Sequence, residues 1–124
     1  MPRTQPENSA PKILIVDDDA DLVALVTTIF KRHGFEVCSH NSGVAVAEVV
    51  SYHLPHLILL DIGLPAKSGT EVCKELKKRH SIPIIFFSAH EDRNTAYKEC
   101  AADGFIQKPF NIKDLVRVVS SYVN

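Results

Sequence analysis

Five polar side chains of types that bind cations and anions each follow an apolar run. Ile13-Leu14-Ile15-Val16 leads into Asp17-Asp18-Asp19. Leu57-Ile58-Leu59-Leu60 leads into Asp61, Ile84-Ile85-Phe86-Phe87 into Ser88, and Phe105-Ile106-Gln107 into Lys108-Pro109. Clustered carboxylates offer hard oxygen donors to a hard cation. A hydroxyl and an ammonium beside them suit a phosphoryl group, whose charge needs donors and positive charge around it. The chemistry expected of Asp17, Asp18, Asp61, Ser88 and Lys108 is therefore that of a hard cation plus a phosphoryl group.

Those residues must first be brought together. Runs of four apolar residues rich in Ile and Leu fit strands buried on both faces, the pattern of a parallel sheet. In an open parallel sheet, ligands collect at the carboxyl ends of the strands. Strand and helix signals alternate five times along the chain. The strands are expected at about Lys12 to Val16, Phe35 to Ser39, Leu57 to Leu60, Ile82 to Phe87 and Gly104 to Gln107. The first helix is expected from Ala20 to His33, with Asp19 as N-cap, Asp21 in the first turn and Gly34 just past the end. Its Leu22, Val23, Leu25, Val26, Ile29 and Phe30 recur at helical spacing. A second helix opens at Asn41-Ser42-Gly43 and runs to about Tyr52. Its many valines give it poor propensity, so topology more than propensity assigns it. The third runs from Thr70 to Arg79, the fourth from Asp92 to Ala102, and the last from Ile112 to Tyr122 with Asn111 as N-cap. Five right-handed β–α repeats give a three-layer α/β sandwich. Residues 1–11, with three prolines, read as a flexible tail, and 12–124 as one domain with no room for a second.

With 124 residues, 45% hydrophobic and 23% charged, the chain has enough apolar content for a single core and is not disordered. A net charge of −1 gives no bulk affinity for nucleic acid or an anionic membrane. No stretch approaches the ~20 apolar residues of a membrane span. The N-terminus lacks an apolar signal core, so a cytoplasmic location is the default. Cys38, Cys73 and Cys100 are odd in number and show no CxxC spacing, so they are expected to pack as small buried hydrophobes. The six histidines show no ligand pattern, and all but His90 are expected simply on the surface or in loops.

The segments ILIVDDD, LILLDIGLP, FFSAHED and ADGFIQKPF occur in this order. In order and spacing they resemble the receiver domain of two-component response regulators, the chemotaxis CheY type, from Lys12 to the end. The resemblance implies a flavodoxin-like fold, a five-stranded parallel sheet of order 2-1-3-4-5 with five helices. It implies that Asp61 accepts a phosphoryl group from a histidine kinase, a histidine phosphotransfer protein or a small donor, in a phosphorelay. Asp17, Asp18, Asp61 and the backbone carbonyl of Gly63 would hold Mg²⁺, with Asp17 acting mainly through water. Ser88 would hydrogen-bond the phosphoryl group, Lys108 would pair with it, and Phe105 would be the aromatic switch residue alongside Ser88. The Lys108–Pro109 bond is expected cis. The chain would be no enzyme, although it would assist its own phosphotransfer and autodephosphorylation, with His90 governing access of water more than Gly63.

Departures from the family pattern are few. Ala101 stands where many members have glycine, His56 where aspartate is common, Ser88 for threonine and Phe105 for tyrosine. Output would leave through the fourth helix, fifth strand and fifth helix, using residues such as Tyr97, Phe105 and Arg117, to a downstream protein or a second copy. No direct contact with nucleic acid or membrane is expected. Two alternatives remain at this level. One is a degenerate receiver acting only as an interaction module. The other is a haloacid-dehalogenase-type phosphatase using Asp17 and Asp19, which would leave Asp61 without a role.

Overall fold

The strands form where the sequence buries apolar side chains on both sides. In the computed structural model, which describes residues 10–89 and 98–123, they are β1 (Lys12–Val16), β2 (Glu36–His40), β3 (Leu57–Leu60), β4 (Ile84–Ala89) and β5 (Gly104–Lys108). All neighbours pair in parallel in the order β2-β1-β3-β4-β5. The helices among the described residues are α1 (Ala20–Arg32), α2 (Val46–His53), α3 (Gly69–Arg79) and α4 (Ile112–Val123).

Side-chain alternation splits each central strand between two cores. Leu14, Val16, Ile58, Leu60, Ile84 and Phe86 meet Val46 and Val50 of α2 and Val72, Cys73 and Leu76 of α3. Ile13, Ile15, Leu57, Leu59, Ile85 and Phe87 meet Val26 and Phe30 of α1 and Leu115 and Val119 of α4. Both faces of β1, β3 and β4 are covered, which is why their sequences do not alternate in polarity. The edge strands β2 and β5 are only partly buried, and theirs carry polar residues.

Several expectations need correction. Four helices, not five, are found among the described residues. The helix expected from Asp92 to Ala102 falls largely on residues 90–97, outside the described residues, as do His90 and Tyr97. Lys98 and Glu99 are helical, whereas 100–102 are not. Regular α2 begins at Val46, because Gly43 is used for close approach instead: a Cβ there would lie 2.0 Å from the Lys67 carbonyl oxygen. Ala45 ahead of the helix takes φ 63, and Leu54 ends it at φ 49. Non-glycine residues pay about 1–2 kcal/mol in that region. Ala101 is not among the residues with positive φ, so alanine is unstrained there. Leu25 is 52% exposed, because the stripe facing the sheet is narrower than its apolar spacing suggested. β2 runs one residue later than expected, to His40, and β4 starts at Ile84 and extends to Ala89. The Pro11 carbonyl accepts the Glu36 N–H at 2.9 Å, one residue ahead of β1.

The cysteines differ most. Cys73 and Cys100 are joined in a disulfide, and Cys38 is the free one. Sequence spacing could not show this, because the fold brings α3 against the approach to β5 across 27 residues.

Candidate functional site

Strand register places the five polar residues. Val16 pairs with Leu60, so Asp17 and Asp61 leave neighbouring strands side by side. The Asp61 N–H donates to Val16 O at 3.0 Å, and the Asp17 N–H to His40 O at 3.0 Å. Ser88 lies near the end of β4, and Lys108 closes β5 opposite Ala89, before a cis bond to Pro109 as expected. Asp19 turns away from the cluster: its carboxylate caps α1 by accepting the Leu22 N–H at 3.1 Å.

Asp17 is 2% exposed and Ser88 is 2% exposed, while Asp18 faces solvent. Lys108 Nζ donates to Asp17 Oδ2 at 2.7 Å and lies 3.8 Å from Asp61 Oδ2. The ammonium is also 4.9 Å from the centroid of the Phe87 ring, which holds its approach on one side. Asp61 Oδ1 accepts the Ser88 hydroxyl at 3.0 Å and the Gly63 N–H at 3.4 Å. Burial is the largest influence on the Asp61 carboxyl and raises its pKa, with the Asp17 charge adding to the rise. Lys108, Ser88 and the Gly63 N–H pull the other way without cancelling it.

One carboxylate oxygen from each of Asp17, Asp18 and Asp61 lies within 4.8 Å of the others. The donors are all hard oxygens, and a carboxyl whose pKa burial and a neighbouring carboxylate raise is one that gains from a cation. The set therefore fits a hard metal ion. Gly63 is exposed, and a Cβ there would meet nothing within 4 Å, so packing does not require glycine at that position.

Gly69 shapes the site and was not singled out from sequence. A Cβ on it would lie 2.2 Å from the Asp61 carbonyl oxygen, and its N–H donates to Ile62 O at 2.8 Å. It thereby lets the first turn of α3, capped by Ser68, press against the loop that carries Asp61. The signal was present as Ser68-Gly69-Thr70-Glu71, a capping box with glycine at its first helical position. Phe105 pairs with Phe86 across the β4–β5 ladder and packs, partly buried, against the core under α2 and α3. Arg117 is exposed on α4 and pairs with Asp114 at 3.2 Å.

Comparison with known proteins agrees with this geometry. The family model of the response regulator receiver domain matches residues 13–120. The nisin biosynthesis regulatory protein NisR of Lactococcus lactis is 35% identical over 114 residues, which is 90% of this chain and 50% of that protein. The DNA-binding response regulator MtrA of Mycobacterium tuberculosis is 36% identical over 107 residues, 85% of this chain and 47% of that protein. The chain thus spans about half the length of the curated relatives it matches. The BeF3-activated N-terminal receiver domain of RstA from Klebsiella pneumoniae superposes with a TM-score of 0.84 at 25% identity, covering 91% of this chain and 98% of that one. The receiver domain of NtrX from Brucella abortus gives 0.81 at 29% identity, over 90% and 97%. Strand order, rim carboxylates and matched span together assign the chain to the receiver domains of two-component response regulators.

Proposed function

We propose that Asp61 is the phosphoacceptor of this receiver and that phosphorylation depends on Mg²⁺. The observation that carries the reading is the convergence of three carboxylates within 4.8 Å, with Asp61 alone among them joined to Ser88. Asp17, Asp18, Asp61 and the Gly63 carbonyl would hold the ion, whose charge, when bound, offsets the repulsion between the Asp61 carboxylate and an incoming phosphoryl group. The residues do the rest. An Asp61 oxygen attacks phosphorus, the bond from phosphorus to the donor's imidazole nitrogen breaks, and an acyl phosphate forms. Ser88, already 3.0 Å from Asp61, donates to a phosphoryl oxygen. Lys108 swings from Asp17 toward the new negative charge, which its flexible stem permits. Hydrolysis reverses the state when water attacks phosphorus and Asp61 leaves.

The donor is a histidine kinase, a histidine phosphotransfer protein or a small phosphoryl compound. Output leaves through β5 and α4, next to Ser88 and Lys108, to a protein partner or a second copy. MtrA is a DNA-binding response regulator, and this chain matches about half of it. A net charge of −1 gives this chain no bulk attraction to a phosphate backbone. No helix among the described residues is long and apolar enough to cross a membrane, and we place the chain in the cytoplasm.

The test is incubation with acetyl phosphate with and without Mg²⁺, followed by intact mass. A single phosphoryl adduct that needs Mg²⁺ and disappears in Asp61→Asn is expected. An adduct that persists in Asp61→Asn and disappears in Asp17→Asn would replace this reading with the phosphatase one. No adduct in the wild type would leave an interaction module.

A further inference from the structure

Cys73 and Cys100 tie a helix to the segment that leads into the last strand. Cys73 lies on α3 and Cys100 on the stretch that leads into β5, with Cα atoms 6.3 Å apart. Both belong to the core cluster against which Phe105 packs. The disulfide therefore ties the approach to Phe105 onto α3.

A second tie joins the same two elements one helical turn further along. Lys77 Nζ donates to Asp103 Oδ2 at 2.9 Å. That carboxylate also accepts the Ile84 N–H at 2.8 Å, and the Asp103 N–H donates to Ile84 O at 2.8 Å. Tyr122 Oη donates to the Asp103 carbonyl at 2.7 Å. Asp103 thus stays anchored to β4, α3 and α4 whatever the state of the cysteines. Opening the disulfide would release only the few residues before it, where Thr70 reaches Glu99 at a long 3.5 Å. Lys98, Glu99 and Ala101 are exposed around Cys100, which is 7% exposed against 0% for Cys73. A reagent would reach the pair from the Cys100 side.

We propose that Cys73 and Cys100 form a reversible thiol–disulfide site that sets how freely the lead into β5 moves, and that low-molecular-weight disulfides and thiols drive it. In oxidation the Cys100 thiolate attacks one sulfur of the small disulfide. That S–S bond breaks and one small thiolate leaves. The Cys73 thiolate then attacks Cys100 Sγ in the mixed disulfide, and the second small thiolate leaves. Two protein thiols lose two protons and two electrons, and one small disulfide becomes two thiols. Cys38 takes no part: it sits on β2, and burial pushes its thiol pKa up, which lowers its thiolate fraction. The coupling to output rests on the phosphoacceptor reading; the thiol chemistry does not.

The test equilibrates the full chain in glutathione and glutathione disulfide at graded ratios, alkylates free thiols and counts them by intact mass. One alkylated cysteine, Cys38, is expected at the oxidising end and three at the reducing end, with a cooperative thermal transition in both. Amide exchange at residues 98–102 should be about tenfold faster in the reduced form and in Cys73→Ala/Cys100→Ala, with β1 and β3 unchanged. A chain that stays at three free thiols under oxidation, forms a Cys38 disulfide, or unfolds on reduction would overturn the proposal. So would equal exchange at 98–102 in the two forms. Phosphorylation is then read in both redox states. Absence of an Asp61 adduct in either state counts against the phosphoacceptor reading alone.

Discussion

Lys108 stands between two carboxylates and favours one of them, at 2.7 Å from Asp17 and 3.8 Å from Asp61. That leaves Asp61 with the Ser88 hydroxyl and a glycine N–H, and with a raised pKa that its own burial causes first. Asp17 is buried and committed to Lys108, while Asp18 is exposed and has its carboxylate turned to the same small volume. Asp18 is therefore the carboxylate whose removal changes metal affinity with the least harm to the fold. Asp18→Asn is expected to weaken Mg²⁺ binding roughly 10–100-fold, on the order of 1.4–2.8 kcal/mol, and to slow phosphorylation by acetyl phosphate in step. Titration by calorimetry beside a phosphorylation time course reads both. Unchanged Mg²⁺ affinity would remove Asp18 from the ligand set.

At the scale of elements, the rim depends on how α3 and β5 are seated. Gly69 allows the first turn of α3 to meet the Asp61 loop, with space for no Cβ against the Asp61 and Ile62 backbone. Gly69→Ala is expected to destabilise by roughly 1–3 kcal/mol, as overpacking against backbone does, and to lower Mg²⁺ affinity by displacing Asp61. Chemical denaturation and metal titration of the variant check the two effects; a neutral result in both would mean that the loop relaxes freely. On the other side, β5 carries Phe105 beside Phe86 and Lys108 beside Ala89, so one strand links the ion pair to the face proposed for output. Phe105 has no hydroxyl, and its inward position rests on apolar burial, at most about 1.5–3 kcal/mol for a whole Phe side chain. If Phe105 is part of the switch, phosphorylation will strengthen self-association or partner binding in the wild type and much less in Phe105→Ala. Sedimentation of both forms, with and without acetyl phosphate, decides; equal strengthening would make Phe105 core alone.

Over the whole molecule, Asp103 gathers β4, α3 and α4 at the end of the sheet opposite the rim. Burial raises its carboxyl, but the Ile84 N–H and Lys77 outweigh that, and its pKa lies below the usual carboxylate range. A depressed folded pKa means that its stabilisation is complete above the unfolded value, near 3.9, and is lost as pH falls through the folded one. The side chain is exposed enough that solvent screening keeps the effect modest. Thermal unfolding should thus show the wild type losing stability over Asp103→Asn as pH falls below about 4, while at neutral pH the wild type is the more stable. Parallel curves across that range would deny Asp103 this role.

The sequence by itself determined the five strands, the rim residues and the family. The central strands and the rim residues rest on a local signal: an apolar run buried on both faces needs no distant partner to be recognised, and Asp17, Asp61, Ser88 and Lys108 each directly follow or close a strand run; the family rests on the order and spacing of four such segments. The tertiary structure decided what depends on which residues meet. Lys108 reaches Asp17 across 91 residues, and only the packed rim shows that it prefers Asp17 to Asp61. Cys73 and Cys100 have no telling spacing, and only the position of α3 beside the approach to β5 makes them a pair. Gly43 and Gly69 look like ordinary loop and helix-start glycines until the backbone atoms facing them are in place. Leu25 carried the right period for the core and still faces solvent, because the width of the covered stripe is set by the sheet and not by the helix.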